Sequence, residues 1–383
     1  SDVYKRQVMA HNLGTVSRRM GFIARLKRDY WSYYCSNLDL LGIKYVVCDD
    51  RAKPIFSNEY VHYELNNLKI GNVPNVAYST MFANTWMPTE DHERILDLES
   101  IRMGGTAFTV RADANLMGKL KGEASRDAAT YILFSGVLMT IFDAYGAYLW
   151  NTKYRSKSWD RPLFLVYSGG DDIVIIGDYN ALDYIANIIR RANEFSINVA
   201  VGALLHDIYY PIYLAWAESE ERLEEAKRDR NSSLIYVMNV GNAPIILEPS
   251  DIRSIVNYVS SAPSMWLFEE TEERASILYR LHKHLVEIYR AFYSVATASN
   301  NESDCLAAKR ELVRALIEYT YYFNRNADKL GDVVTRLDRG LLPQNLAKPL
   351  LTVKCGDEGN ARQYLRQLGR AIVSINIYVL INK

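Results

Sequence analysis

The stretch LFLVYSGGDDIVIIG, residues 163–177, sets two apolar runs around a Gly-Gly pair and two adjacent aspartates. Runs of this kind around a glycine-containing turn predict a β-hairpin. Both runs are apolar at nearly every position, so neither face is left for water and the hairpin is predicted at the centre of a sheet. Whatever surrounds it has to cover two faces and also accommodate two like charges at the tip.

The flanking pattern supplies that cover. TAFTVRAD (106–113) alternates, with Phe108, Val110 and Ala112 on one face, and is predicted as a strand ending at Asp113. ANLMGKLKG then reads as a turn, followed by a long apolar helix from about Ser125 to Trp150 and a polar linker over 151–162. After the hairpin, Asn180 is expected to cap a helix, with Asp183 three residues on and Leu182, Ile185, Ile189, Ala192 and Phe195 forming its buried stripe. INVAVGA (197–203) is a fourth strand. The order β-α-β-β-α-β predicts an α+β, ferredoxin-like domain: an antiparallel sheet with helices on one face.

Downstream, PIYLAWAESEERLEEAKRDR (211–230) is an amphipathic helix and SLIYVMNV (233–240) a strand. From about residue 251 apolar residues recur at helical spacing: Ile277, Leu278, Leu281, Leu285, Ile288 and Phe292, then Leu312, Leu316, Tyr319 and Phe323. These stripes, with ARQYLRQLGRAIVSINIYVL, predict a C-terminal helical bundle. The expected division is therefore a mixed upstream segment and partial domain over 8–105, the sheet domain over 106–250, and the bundle over 251–383. Residues 1–7, SDVYKRQ, resemble translated sequencing-adapter sequence and are set aside as a non-native leader, which points to a fragment.

Lys plus Arg equals Asp plus Glu at 45 each, so no overall field drives non-specific nucleic-acid binding. The densest basic stretch, SRRMGFIARLKRDY (17–30), reads as a solvated helix face. Cys35, Cys48, Cys305 and Cys355 form no CxxC pair, which argues against a disulfide framework or zinc ribbon and suits a reducing cytoplasm. AATYILFSGVLMTIF (128–142), bounded by Asp127 and Asp143, is uncharged but falls short of the roughly 18–20 residues that span a bilayer. It is expected to be a buried helix, with no membrane partner. His282 and His284, two apart in a helix, point to different faces and are not a metal pair. His206-Asp207 and the RNSS stretch at Asn231 read as loops.

The hairpin tip has two readings. Gly-Asp is an ordinary turn pair, and an aspartate can cap its own turn. In a βαββαβ sheet, however, the tip lies beside the end of the first strand, where Asp113 sits. Three carboxylates then share one sheet edge, and no Lys or Arg within the hairpin offsets them. That arrangement suits Mg²⁺ or Mn²⁺ bound together with substrate phosphates. Two such ions promote in-line displacement at phosphorus, and the glycines let a triphosphate approach the backbone. Lys227 is a candidate phosphate-facing cation; its alternative is a helix pair with Glu224.

VRADANLMGKL, VYSGGDD and PIYLAWAESEERLEEAK, in that order and spacing, resemble the second palm of the large subunit of type III CRISPR effector complexes, over roughly residues 80–250. The helical C-terminus also resembles that family's terminal bundle. The resemblance implies a GGDD palm, nucleotide-cyclase-like, that converts ATP to cyclic oligoadenylate when its guide-RNA ribonucleoprotein captures target RNA. It implies that Asp113, Asp171 and Asp172 hold the metals. Ser168, Gly169 and Gly170 would line the nucleotide pocket, and Lys227 would match the phosphate-side lysine. The implied partners are backbone and small helical subunits, and the implied location is cytoplasmic. Asn115 stands where the family often places a second Asp. The family's HD nuclease, zinc-binding cysteines and first palm are not recognisable. Two other readings stay open: a non-catalytic scaffold palm, and a GGDEF-type diguanylate cyclase.

Overall fold

The computed structural model describes residues 8–12, 22–26, 29–33, 45–48, 60–65, 77–81 and 88–381, without 91–93, 102, 155–161, 266–270 and 299–300. Residues 1–7 and most of the 151–162 linker lie outside the described residues. The chain forms two compact units. One comprises 1–97, 124–159 and 164–170, and the other 98–123, 160–163 and 171–383.

In the first unit, strands β1 (Val8–Asn12), β4 (Tyr45–Cys48), β5 (Tyr60–Leu65) and β6 (Ala77–Met81) form a sheet ordered β4-β1-β5-β6. Strands β2 (Phe22–Leu26) and β3 (Asp29–Tyr33) pair antiparallel, so the described part of the basic stretch is β-strand rather than a helix face, and its remainder lies outside the described residues. Strands β7 (Thr89–Glu90) and β8 (Arg94–Ile95) also pair antiparallel.

The sheet around the carboxylates has six strands. They are β9 (Thr106–Ala114), β10 (Leu163–Gly169), β11 (Asp172–Gly177), β12 (Val199–Asp207), β13 (Ile235–Val240) and β14 (Ala243–Leu247). Their order is β10-β11-β9-β12-β13-β14. Strands β9, β11 and β12 are antiparallel neighbours, but β12 and β13 run parallel, so the sheet is mixed rather than wholly antiparallel. Strand β10 ends the order and is not central; Leu163, Phe164 and Leu165 are buried all the same, while Val166 is half-buried and Tyr167 exposed.

The helices depart from the pattern-based reading in instructive ways. The predicted turn after Asp113 contains helix α1 (Met117–Ala124), whose two glycines and lone leucine hid its period. The long apolar helix is broken. Helix α2 (Ala128–Leu138), capped by Asp127, runs into π-helical turns at Met139–Tyr145 and Trp150–Tyr154 around a short α-turn. It is not buried throughout: Tyr131, Ile132 and Leu133 are exposed. Among the described residues, the run Ala128–Tyr154 alone is long and apolar enough to cross a membrane, and 33% of its apolar window is buried.

Helix α3 (Asn180–Asn193) buries Leu182, Ile185, Ile189 and Ala192 as expected, each large side chain favouring packing by roughly 1.5–3 kcal/mol. Phe195 lies beyond its end and is exposed. The helix's first turn is held by Asp178, whose carboxylate accepts from Asn180 N at 2.7 Å, rather than by Asn180 itself. Helix α4 (Ile212–Ala226) presses against β12. A Cβ on Gly202 would lie 2.1 Å from the Ser219 carbonyl oxygen and 2.4 Å from Leu223 N, so only glycine permits this approach. His206 belongs to β12, not to a loop, and is bonded to the Thr109 hydroxyl at 2.8 Å.

The helical remainder comprises α5 (Pro249–Met265), α6 (Thr271–Thr297), α7 (Glu302–Arg325), α8 (Ala327–Leu337), α9 (Pro343–Thr352) and α10 (Glu358–Ile381). Leu278, Leu281, Leu285, Ile288 and Phe292 of α6 and Leu312, Leu316, Tyr319 and Phe323 of α7 are buried, as their spacing predicts. Cys305 and Cys355 are joined in a disulfide, which corrects the expectation of unpaired cysteines. Their 50-residue separation conceals the pairing until α7 and the chain beyond α9 are folded together.

Candidate active site

Asp113 and Asp172 are direct partners across the β9–β11 ladder, so the hairpin tip lies beside the end of the first strand as the topology anticipated. Like charges placed opposite one another in an antiparallel pair repel. Asp171 occupies the turn just before β11, and its carbonyl accepts from Ala114 N at 3.1 Å, which ties the turn to the end of β9.

Two lysines answer part of this repulsion. Lys227, just past the end of α4, places Nζ 2.8 Å from Asp113 Oδ2 and 2.8 Å from Glu224 Oε1. The helix pair with Glu224 is thus present, and the same ammonium also reaches Asp113 on the rim. Its position at a helix C-terminus also suits a cation. Burial works against the Lys227 ammonium, but hydrogen bonds from it to Asp113 and Glu224 prevail and leave its pKa raised. Lys121 of α1 donates to both oxygens of Asp171, at 3.1 and 3.3 Å. Sequence reasoning missed it because the helix carrying it was read as a turn. Its signal was the basic GKLKG segment a few residues past Asp113.

Asp172 keeps the unrelieved part. Burial, then the charges of Asp113 and Asp171, push its pKa up, against the weaker opposing pull of Arg111 and Lys227. Arg111 sits two residues before Asp113 on β9, pairs with Glu220 and lies 4.5 Å over the Trp216 ring. Asn115 is buried and donates to the Ser232 carbonyl at 3.2 Å, so the residue in place of a second Asp ties β9 to the RNSS turn.

On the other side of the turn, Gly170 is exposed with φ of 66°, and a Cβ there would meet nothing within 4 Å. Glycine is required by the left-handed backbone, while the space beside it is open. Ser168 and Gly169 are buried. The Ser168 hydroxyl donates to the Phe142 carbonyl at 2.5 Å, an internal bond rather than an outward one. The neighbouring Asp143 accepts from Gly170 N–H, and burial outweighs that bond to raise its pKa to about 6. Its Oδ1 is sealed from solvent and has no hydrogen-bond partner. Sequence reasoning noticed Asp143 only as the end of an uncharged run.

Three carboxylates on one rim, one of them short of positive charge, form a donor set for a hard divalent cation. Asp113 and Asp171 are each held by a lysine, and the three do not gather within 4.8 Å. Among the described residues only His284, Glu287 and Glu318 do so as a set of three.

No family model and no curated protein matches the chain. Solved structures do. Csm1 of T. onnurineus matches at a TM-score of 0.59 and 15% identity over 94% of this chain and 49% of its own. A Csm1–Csm4 cassette in complex with pppApApA matches at 0.57 and 14% over 88% of this chain and 46% of its own. The Csm1–Csm4 subcomplex of a type III-A CRISPR–Csm interference complex matches at 0.52 and 16% over 86% and 45%. Further matching cassettes hold cA3 or one ATP. The resemblance read from the motifs is therefore borne out as a likeness of fold, and the chain spans about half the length of these neighbours.

Proposed function

We propose that this chain is the GGDD palm and terminal bundle of a type III CRISPR large subunit, a metal-dependent nucleotidyltransferase that converts ATP to cyclic oligoadenylate. The observation that carries the reading is the Asp113–Asp172 pair beside Asp171 on the glycine turn, set in a fold like that found in Csm1–Csm4 cassettes in complex with pppApApA and cA3. The strand order β10-β11-β9-β12 supports reading residues 106–207 as a ferredoxin-like palm. On this reading the palm extends over 106–250, the bundle over 251–383, and the partners are guide-RNA backbone and small helical subunits with target RNA as activator. A cytoplasmic location goes with it.

Asp113, Asp171 and Asp172 are the residues that would hold Mg²⁺ or Mn²⁺, which when bound neutralises phosphate charge and activates a hydroxyl. Asp172 gains most from a cation, since no lysine meets it. Lys227 and Lys121, at the same rim, would each offer a point charge to the triphosphate if a cation held their carboxylates. Gly170 leaves room for phosphate beside the turn. The 3′-hydroxyl oxygen of one ATP bonds to the α-phosphorus of another, the bond to the bridging oxygen breaks, and pyrophosphate leaves. The hydroxyl proton passes to solvent. Repetition followed by intramolecular attack closes the ring.

A scaffold palm is the second reading, and the two lysine–carboxylate pairs favour it, because they satisfy Asp113 and Asp171 without any ion. The test is to assemble the chain with its guide-RNA complex, add target RNA, Mn²⁺ and labelled ATP or GTP, and identify products. Cyclic oligoadenylate, lost in Asp171→Asn/Asp172→Asn, is the expected result. Cyclic di-GMP, or assembly without any product, would overturn it.

A further inference from the structure

A second constellation lies in the bundle, on residues that the palm chemistry does not use. On α6, His284 and Glu287 are three residues apart and therefore share a face. Glu318 of α7 faces them, and one ligand atom from each of the three lies within 4.8 Å of the other two. The His284 ring lies 4.9 Å from the Tyr322 ring and tilted 36° to it, and the Tyr322 hydroxyl is itself spent on the Ile277 carbonyl. Nδ1 of His284 is sealed from water and has no hydrogen-bond partner; its nearest carboxylate oxygen, on Glu287, is 3.5 Å away, longer than an N–H···O bond. A buried nitrogen aimed at two carboxylates without bonding either is unsatisfied as it stands.

The surrounding charges are compatible with a cation. Neutral imidazole and two carboxylates carry a combined charge of −2, which a divalent ion cancels. Beside them a cavity of about 390 Å³, lined by Glu287, Ser294, Glu311 and Glu318 and also by Arg290 and Arg314, has room for waters to complete a coordination shell. One competitor is present: Arg314 Nε lies 3.0 Å from Glu318 Oε1, a pair exposed enough to open. Lys283 stands farther off, 3.9 Å from Glu287.

We infer that His284, Glu287 and Glu318 form a structural site for a divalent transition metal that clamps α6 to α7. An imidazole nitrogen with two carboxylate oxygens suits Zn²⁺, and after it Co²⁺ or Mn²⁺, over the all-oxygen preference of Mg²⁺ and Ca²⁺. The histidine works with an acidic residue one turn on and one on the next helix, so its separation from His282 is no obstacle.

The test uses the whole chain with Asp171→Asn/Asp172→Asn, so that the palm rim takes no metal. Zn²⁺ is titrated by calorimetry, Co²⁺ by its visible absorption, and thermal midpoints are read with and without Zn²⁺. One saturable site and a raised midpoint are expected. His284→Ala and Glu318→Gln should each weaken binding by on the order of 100-fold, with His282→Ala as a neutral control. Arg314→Ala should tighten binding several-fold, because it removes the competitor for Glu318. A purely ion-paired cluster predicts no metal effect from that change. Absence of saturable binding, or Zn²⁺ binding undiminished by His284→Ala, would overturn the site.

Discussion

Replacing Asp143 by asparagine isolates the electrostatic cost of a carboxyl group lodged behind the glycine turn. Burial raises this carboxyl from an ordinary 3.8 to about 6, and the Gly170 N–H only partly opposes the rise. A carboxyl whose pKa is raised by folding binds its proton more tightly in the native state. Its stabilising contribution is complete below about pH 4 and is lost as pH rises through about 6. In full the gap is worth about 3 kcal/mol, and solvent screening at a half-buried site reduces it to about 1–2 kcal/mol. Asparagine keeps an acceptor for Gly170 and does not ionise, so its stability lacks this component. Urea unfolding of both proteins between pH 4 and pH 7.5 measures the difference directly. The native protein should lose about 1–2 kcal/mol relative to Asp143→Asn across that interval, whatever constant offset the buried amide adds. Parallel profiles would refute the reasoning, because they would mean that Asp143 ionises as freely folded as unfolded.

Other perturbations separate the rim from its supports. Asp172→Asn relieves the repulsion across the β9–β11 pair and should raise the unfolding free energy measured in urea at neutral pH by up to about 1 kcal/mol while abolishing product formation. Gly170→Ala forces a left-handed alanine into open space and should cost about 1–2 kcal/mol in equilibrium unfolding. Gly202→Ala drives a methyl into the α4 backbone and should cost more than about 3 kcal/mol, readable as loss of soluble folded protein. Lys227→Ala leaves Asp113 without its ammonium, and ATP affinity measured in the assembled complex should fall about tenfold, with partial recovery in Lys227→Arg. Reducing the Cys305–Cys355 bond, or replacing Cys305 by serine, reopens a 50-residue loop and should lower stability by about 2–4 kcal/mol, seen as a depressed thermal midpoint.

Elements defined by local periodicity were legible in the sequence. The alternation of Phe108, Val110 and Ala112, the α3 stripe and the bundle stripes each follow from a repeat of two or 3.6 residues within one short window, and they reappear as β9, α3, α6 and α7. The closeness of Asp113 to the hairpin tip was legible too, because few topologies connect such elements, and those that do bring the end of the first strand to that tip; the direct Asp113–Asp172 register came from the structure.

What the sequence by itself determined is therefore the set of carboxylates and the strands that carry them. Tertiary structure alone decided what meets those carboxylates. Lys121 reaches Asp171 from 50 residues away, and Lys227 reaches Asp113 only because Gly202 lets α4 lie against β12. The Asp143 contact with Gly170, the Cys305–Cys355 bridge and the convergence of His284, Glu287 and Glu318 likewise depend on contacts between separate elements. A local pattern reports which face of a strand or helix is apolar, because burial acts on each residue separately. It carries no record of which charged group arrives from another element, because that depends on packing distances summed over the whole fold.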